Sequence, residues 1–179
     1  MENIILGLLL LQSRTIYALR KRINCGLNLM YSCSTGSIQA AIKKLLHNNY
    51  ININETTENG KIKKIYSITN EGKSYFSSWV NSPMQIDTAK NPELSKLYFM
   101  GLAEKDTRAK TIEQHLADLQ KKYIVLNSIC EEGERLSNEF QNNEIFFYQF
   151  QTAKYGRDFI DFNIKWYTTL LKNIKENEQ

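Results

Sequence analysis

The spacing of apolar residues changes from helical to strand-like within the first 80 residues, and this change constrains the fold more than any other feature. Up to about residue 48 apolar residues recur every three to four positions, as in amphipathic helices. In segments 50–54 and 64–68 they alternate with polar residues, as in β-strands. Between these segments lies Asn59-Gly60, a dipeptide typical of hairpin turns. The sequence therefore predicts helices followed by a two-stranded hairpin.

Three helices are predicted before the hairpin. The predicted buried residues are Ile4, Leu8 and Leu11 in the first, Ile16, Leu19 and Ile23 in the second, and Ile38, Ala41, Ile42, Leu45 and Leu46 in the third. Ser13 is the expected N-cap of the second helix, and Ser34 or Thr35 that of the third. Asn49 is expected to take the left-handed conformation that ends the third helix.

The third helix and the hairpin carry basic and polar side chains, as in a winged helix-turn-helix. The third helix would lie in the major groove of DNA, with Gln39 pairing with adenine and Ser37 contacting a base edge or phosphate. Lys43 and Lys44 would reach phosphates or guanine. Wing contacts to the DNA backbone are predicted for Lys61, Lys63 and Lys64, and phosphate contacts on the second helix for Arg20, Lys21 and Arg22.

The charge distribution favours the same interpretation. The whole chain carries a net charge of +4, which says little about its partners. Residues 1–80 contain ten Lys and Arg against four Asp and Glu, whereas residues 81–179 contain 13 against 15. Lysine pairs on an exposed helix are often only solvated, so the alternative is a winged helix that binds a protein or an uncharged ligand. Because the basic helix, the basic hairpin and the positive balance occur together, DNA binding is favoured.

Pro83 and Pro92 lie in a stretch where the periodic apolar pattern lapses, which indicates a domain boundary. Before it, Thr69 is expected to cap a fourth helix that carries Tyr75, Phe76 and Trp79. The predicted fold is mainly α with a small β-hairpin wing. It comprises a winged helix-turn-helix over residues 1–80, a linker over 81–92 and a helical dimerisation domain over 93–179.

The second half is predicted to be entirely helical. Leu94, Leu97, Tyr98 and Leu102 mark a short amphipathic helix. A longer helix follows, whose heptad-spaced apolar residues form a predicted seam that Gly133 interrupts: Ile112, Leu116, Leu119, Tyr123, Leu126 and Cys130. The last predicted helix, about 145–174, is rich in aromatic residues and too long for this chain alone to cover, so a second subunit is expected. Dimerisation is assigned to Ile112, Leu116, Leu119, Tyr123, Leu126, Phe159, Trp166 and Leu170.

Other classes of site find little support in the sequence. Three cysteines without a C-x-x-C spacing and two distant histidines argue against disulfides and structural metal sites. No catalytic or nucleotide-binding motif occurs, so neither an enzyme nor a cofactor is expected. The apolar run 4–11 is too short to span a bilayer and lacks a basic leader, so we expect a cytoplasmic protein without membrane contact. Cys25 and Cys33 are weak candidates for redox sensing.

Four segments together resemble the PadR family of bacterial transcriptional regulators. They are Ile5-Leu-Gly-Leu-Leu9, Tyr17-Ala-Leu-Arg-Lys-Arg-Ile23, Gly36-Ser-Ile-Gln-Ala-Ala-Ile-Lys-Lys-Leu45 and Tyr66-Ser-Ile-Thr-Asn-Glu-Gly72. Gln39 stands where many family members have Tyr, so the operator sequence cannot be inherited from relatives. With this resemblance, the predicted DNA-binding set also includes Tyr17, Ser34 and Tyr66.

The second half is similar to the longer, Vir-like C-terminal domain of that family. The similarity rests on Tyr98-Phe-Met-Gly101, Tyr155-Gly156 and Trp166. It implies a homodimeric repressor that binds a palindromic operator. It also implies a small aromatic effector as a candidate partner, for which Trp79, Trp166 and the cluster 146–150 could provide a pocket. The competing interpretation of these aromatic residues is core or dimer interface, which we favour. The functional alternative is a protein-interaction module acting through the aromatic C-terminal helices.

Overall fold

The computed structural model describes residues 1–26, 34–58, 61–84, 92–137, 140 and 143–177. The chain divides into two compact units, Met1–Asp87 and Thr88–Gln179. The first unit contains helices α1 (Glu2–Leu11), α2 (Ile16–Gly26) and α3 (Thr35–His47), strands β1 (Ile51–Glu58) and β2 (Lys61–Ile68), and helix α4 (Asn70–Val80). The second contains helix α5 (Pro92–Tyr98), a 3-10 turn (Met100–Leu102), and helices α6 (Lys105–Leu136) and α7 (Glu144–Asn177).

Helix α1 lies at the centre of the first unit. It contacts α3, α4 and β2, so its buried surface is broader than a single stripe. The buried residues are Ile5, Leu6, Leu8 and Leu9. The predicted face of Ile4, Leu8 and Leu11 is therefore wrong at its end, because Leu11 lies in the last turn with 45% of its surface exposed.

The segment before α2 is extended and joins the sheet, which the sequence pattern did not predict. The Arg14 amide donates to the Tyr66 carbonyl at 3.0 Å, and the Tyr66 amide donates to the Arg14 carbonyl at 2.9 Å. Thr15, rather than the predicted Ser13, caps α2: its hydroxyl oxygen accepts from the Ala18 amide at 3.2 Å. The predicted core residues Leu19 and Ile23 are fully buried.

Helix α3 begins and ends as its sequence predicts. The Ser34 side chain accepts a hydrogen bond from the Ser37 amide at 3.1 Å. At the other end Asn49 has φ of 58°, the left-handed conformation expected there. The Asn49 amide then donates to Leu46 at 3.0 Å and the Tyr50 amide to Leu45 at 2.9 Å, which satisfies two carbonyls of the last turn. Ile38, Ala41, Ile42 and Leu45 are buried, and Leu46 packs against them, as predicted.

Strands β1 and β2 pair antiparallel from Ile51 opposite Ile68 to Glu58 opposite Lys61. They extend further than the predicted segments 50–54 and 64–68. Residues 55–58 of β1 are all polar, so no apolar alternation marks them as strand, and the cross-strand pair of Glu55 and Lys64 stabilises this part of the hairpin. The predicted Asn59-Gly60 turn lies outside the described residues. Thr69 caps α4 as predicted, accepting from the Gly72 amide at 3.0 Å.

Helices α6 and α7, of 32 and 34 residues, lie antiparallel in the second unit. Ion pairs link Lys175 to Glu113 near one end and Lys154 to Glu134 near the other. Gly133 does not interrupt the α6 seam but continues it: a Cβ at this position would lie 2.3 Å from the Phe150 ring, so only glycine admits that ring. None of the described helices combines the length and apolar character needed to cross a membrane.

The predicted apolar face of α5 is not covered within the second unit. Leu94, Tyr98 and Leu102 are all largely exposed, and only Leu97 is half-buried. Leu102 also lies in the 3-10 turn rather than in α5. The amphipathic pattern is present, but the described residues of this unit provide no apolar surface for it.

Candidate nucleic-acid interface

Helix α3 presents a polar outer face opposite its buried stripe. Gln39, Lys43 and His47 recur at four-residue steps and are exposed, so they lie along one side of the helix. Lys43 forms no ion pair with any described residue. This outer face of α3 offers amide and ammonium donors to a ligand, and among the described residues no ion pair with Lys43 has to be broken first.

Lys44, the neighbour of Lys43, faces a different environment. Its Nζ lies 2.9 Å from a carboxylate oxygen of Glu2 on α1. The hydrogen bond and charge of Glu2 raise the pKa of Lys44. The two lysines predicted to act together therefore point in different directions from the helix. The partner of Lys44, Glu2, was not predicted from the sequence. No spacing rule relates Glu2 to Lys44, because they belong to helices far apart in the chain.

The side chains of Ser34 and Ser37 form hydrogen bonds that cap the start of α3. Besides the capping bond, the Ser37 hydroxyl donates to the Ser34 carbonyl at 2.8 Å. Ser34 is nevertheless exposed and Ser37 is half-buried, and a hydroxyl oxygen retains acceptor capacity. Their first role is to cap the helix, which fixes the direction in which its outer face points.

Helix α2 adds a basic and aromatic surface. Tyr17 is 76% exposed, and Arg20 and Lys21 are exposed three and four residues later, on the same side of the helix. The buried residues Leu19 and Ile23 face the opposite way. Arg22 is also exposed but lies at the flank of this surface.

The wing distributes its lysines over two faces. Lys64 forms an ion pair with Glu55 on the opposite strand at 3.3 Å. Lys63 is exposed and, since side chains alternate along a strand, lies on the other face. The side chain of Lys61 lies outside the described residues, although its backbone pairs with Glu58.

Tyr66 is a core residue, so its assignment to the DNA interface is corrected. Only 5% of its surface is exposed, and it belongs to the hydrophobic core of the first unit. The alternating strand places Tyr66 on the same face as Ile68, which packs against that core. The family motif contains this tyrosine, but its side chain supports the fold.

The residues assigned to dimerisation fall into two groups. The first is packed between α6 and α7 of one chain, where the α6 seam meets Ile160 and Tyr167: Ile112, Leu116, Leu119, Tyr123, Leu126 and Leu170. The second comprises Phe159 and Trp166, which remain 49% and 42% exposed. The seam is thus an intrachain contact, and Phe159 and Trp166 are the assigned residues that a second copy could cover.

Phe159 and Trp166 belong to a larger aromatic face of α7. The exposed aromatic residues recur at heptad-like steps: Tyr148, Tyr155, Phe159, Phe162 and Trp166. Helix α7 therefore carries two apolar stripes, one packed against α6 and one on its outer side.

Some of the aromatic residues predicted as candidates for an effector pocket pack against other residues of the chain. Phe146 stacks between Phe140 and Phe150, with ring centroids 4.8 and 5.9 Å apart, and Phe150 covers Gly133. Trp166 meets Tyr167 edge-on at 4.9 Å. These contacts favour the core interpretation for Phe146 and Phe150, while Trp79 and Trp166 keep exposed ring surface.

The described residues give little support for a metal site or a reactive thiol. Within the described part of the chain no three His, Cys, Asp or Glu side chains approach closely enough to hold a metal ion. Cys130 is fully buried in the seam, and this burial raises the pKa of its thiol. The side chain of Cys25 and the whole of Cys33 lie outside the described residues.

Two family models match the chain. The transcriptional regulator PadR-like family matches residues 5–78, and the virulence activator alpha C-terminal domain matches residues 89–175. No curated protein matches the chain well enough to indicate a relationship.

Solved structures share the fold over the whole chain. Bacillus subtilis PadR in complex with operator DNA has a TM-score of 0.81 at 20% identity, covering 97% of this chain and 98% of that one. The same regulator with p-coumaric acid has a TM-score of 0.73 at 20% identity, with the same coverage. The Vibrio cholerae virulence activator AphA has a TM-score of 0.75 at 15% identity, covering 98% of each chain. These similarities establish a mainly helical fold with a winged helix-turn-helix.

Proposed function

Because the chain carries a PadR-like transcriptional regulator domain and a virulence-activator type of C-terminal domain, we propose that it is a homodimeric repressor that binds a palindromic operator. The observation that carries the proposal is the outer face of α3. It exposes Gln39, Lys43 and His47 on a helix whose cap and core hold it in a winged helix-turn-helix.

Each surface of the first unit has a role in this proposal. Gln39 makes a bidentate contact to adenine, and Lys43 binds a phosphate or the acceptors of guanine. Tyr17, Arg20 and Lys21 on α2 contact the phosphate backbone, as does Lys63 on the wing. Ser34 and Ser37 keep α3 capped and retain oxygen atoms for a phosphate-bound water or base edge.

The second unit supplies the pairing of two copies. The outer aromatic face of α7 is a stripe of large apolar side chains that its own chain leaves exposed, and burying it against a second copy is favourable. A two-fold dimer would set two α3 helices about 34 Å apart, one turn of DNA, so that the operator is palindromic. DNA binding places such a regulator in the cytoplasm.

An aromatic effector is part of the proposal. Bacillus subtilis PadR has been solved with p-coumaric acid. In this chain Trp79 and Trp166 retain exposed rings on which a small aromatic acid can stack. Titration with p-coumaric acid should change the tryptophan emission if a ligand of this class binds; unchanged emission up to millimolar ligand would exclude it.

The experiment that tests DNA binding is fluorescence anisotropy with a labelled duplex from the chain's own upstream promoter, measured over a range of salt concentrations. Specific binding should weaken with a log–log slope of about −0.9 per neutralised phosphate, whereas a scrambled duplex binds much more weakly. If neither duplex binds at low salt, the protein-interaction function of the aromatic helices replaces this one.

A further inference from the structure

The ion pair between Glu2 and Lys44 joins α1 to the helix that we propose lies in the major groove. Its N–O distance is 2.9 Å, with the Glu2 side chain 27% exposed and that of Lys44 63% exposed. The carboxylate is thus partly shielded by the fold, while the ammonium remains open to solvent. A partly buried carboxylate therefore pairs with an exposed ammonium at the edge of the proposed interface.

Adjacent lysines on α3 consequently differ in what they can offer to DNA. Successive helical residues are rotated by roughly 100°, so Lys43 shares a side with Gln39 and Lys44 turns towards α1. A lysine already neutralised by a carboxylate must lose that partner before it can bind phosphate. It then replaces one anion by another, and the net gain is small.

We propose that Glu2 competes with DNA phosphate for Lys44 and thereby lowers the affinity of the chain for DNA. The inference rests on the proposed DNA-binding function and adds an affinity-setting residue to it. Glu2 does not contact DNA; it acts through Lys44. Without the carboxylate, the Lys44 side chain is long enough and exposed enough to turn towards the duplex.

The test is a double-mutant cycle on the full chain. Wild type, Glu2→Gln, Lys44→Gln and the double variant are titrated against a duplex from the chain's own upstream promoter by fluorescence anisotropy, over a series of salt concentrations. Glu71→Gln is the matched control, because Glu71 is an exposed acidic residue of the same unit without an ion pair to any described residue. Glu2→Ala provides a second variant, and thermal melts check that each is folded.

We expect Glu2→Gln to bind about three- to tenfold more tightly than wild type, with a log–log salt slope steeper by about 0.9 for each Lys44 that gains a phosphate. Lys44→Gln should stay close to wild type. The double variant should bind more tightly than Lys44→Gln by no more than Glu71→Gln exceeds wild type, because any larger gain requires the freed ammonium.

Three results would overturn the inference. A gain in Glu2→Gln no larger than in Glu71→Gln would indicate only a change in net charge. A gain from Glu2→Gln that persists in the Lys44→Gln background and exceeds that of Glu71→Gln would show that Lys44 is not the mediator. Weaker binding of Glu2→Gln than of wild type would show that the ion pair supports the interface. If wild type itself fails to bind, the proposed function fails together with this inference, whereas normal wild-type binding with an unaffected Glu2→Gln overturns this inference alone.

Discussion

The two units of the chain leave different chemistry on their surfaces. In the first, α3 buries its apolar stripe and exposes Gln39, Lys43 and His47. In the second, α7 buries one apolar stripe against α6 and still exposes an aromatic stripe that includes Phe159 and Trp166. A polar, basic face suits a hydrated polyanion, and an exposed aromatic face suits another apolar surface. We therefore assign the proposed DNA contact to the first unit and the proposed contact between subunits to the second.

Of the changes that test this assignment, reversing the charge of Lys43 should have the largest effect, and the effect should be on DNA affinity alone. Lys43→Glu places two like charges against phosphate in a dimer, so DNA affinity should fall on the order of a hundredfold at moderate salt. The molecular mass in solution should not change, because the second unit is untouched. Anisotropy and light scattering measure the two quantities; a change in mass without loss of DNA binding would reverse the assignment of the units.

A charge on the aromatic face of α7 should instead change the molecular mass in solution and leave the DNA-binding surface of each subunit intact. Phe159→Lys should shift the mass at micromolar concentration from twice 20.9 kDa towards 20.9 kDa, because burying an unpaired ammonium in an interface is costly. The helix content should be retained, since Phe159 is 49% exposed within one chain. Operator affinity should then fall only because a monomer contacts one half-site and a dimer contacts two. A wild type that is itself monomeric would refute the proposed dimer.

Truncating the seam should affect stability instead of assembly. Leu119 is packed between α6 and α7, so Leu119→Ala should lower the free energy of unfolding of the second unit by about 3 kcal/mol. Gln120→Ala, on the exposed side of the same helix, should change it by less than about 0.5 kcal/mol. Urea unfolding at fixed protein concentration provides the comparison. Equal effects would mean that the seam is not a core.

The smallest expected effect is a pH dependence at Cys130. Burial raises the pKa of its thiol above the ordinary value of 9.0, so the folded chain holds the proton more strongly than the unfolded chain. Stability from this group is complete below pH 9 and declines as the pH rises through and above that value. The stability difference between wild type and Cys130→Ala should therefore narrow between pH 7 and pH 10. A constant difference would contradict the shift.

The sequence predicted the elements well where local rules decide them. The stripe of α3, the Ser34 and Thr69 caps and the left-handed Asn49 are all found, because each depends on residues close in the chain. The family resemblance identified the fold of both units.

What could not be predicted depends on contacts between distant segments. The pairing of Arg14 with Tyr66, the burial of Tyr66 and the capture of Lys44 by Glu2 all join separate elements. Periodicity likewise located the apolar stripes of the second unit but could not tell which stripe faces the same chain. The α6 seam was therefore assigned to dimerisation together with Phe159, although the two lie on different surfaces.

The central claim is that two copies of the first unit contact DNA while the second unit joins them. Hydroxyl-radical footprinting of the upstream promoter tests it most directly. We predict two protected segments related by a two-fold axis and centred about 34 Å apart, with Gln39→Ala relaxing the base preference at the same position of both halves. A single protected segment, or protection that Gln39→Ala and Lys43→Glu leave unchanged, would contradict the claim.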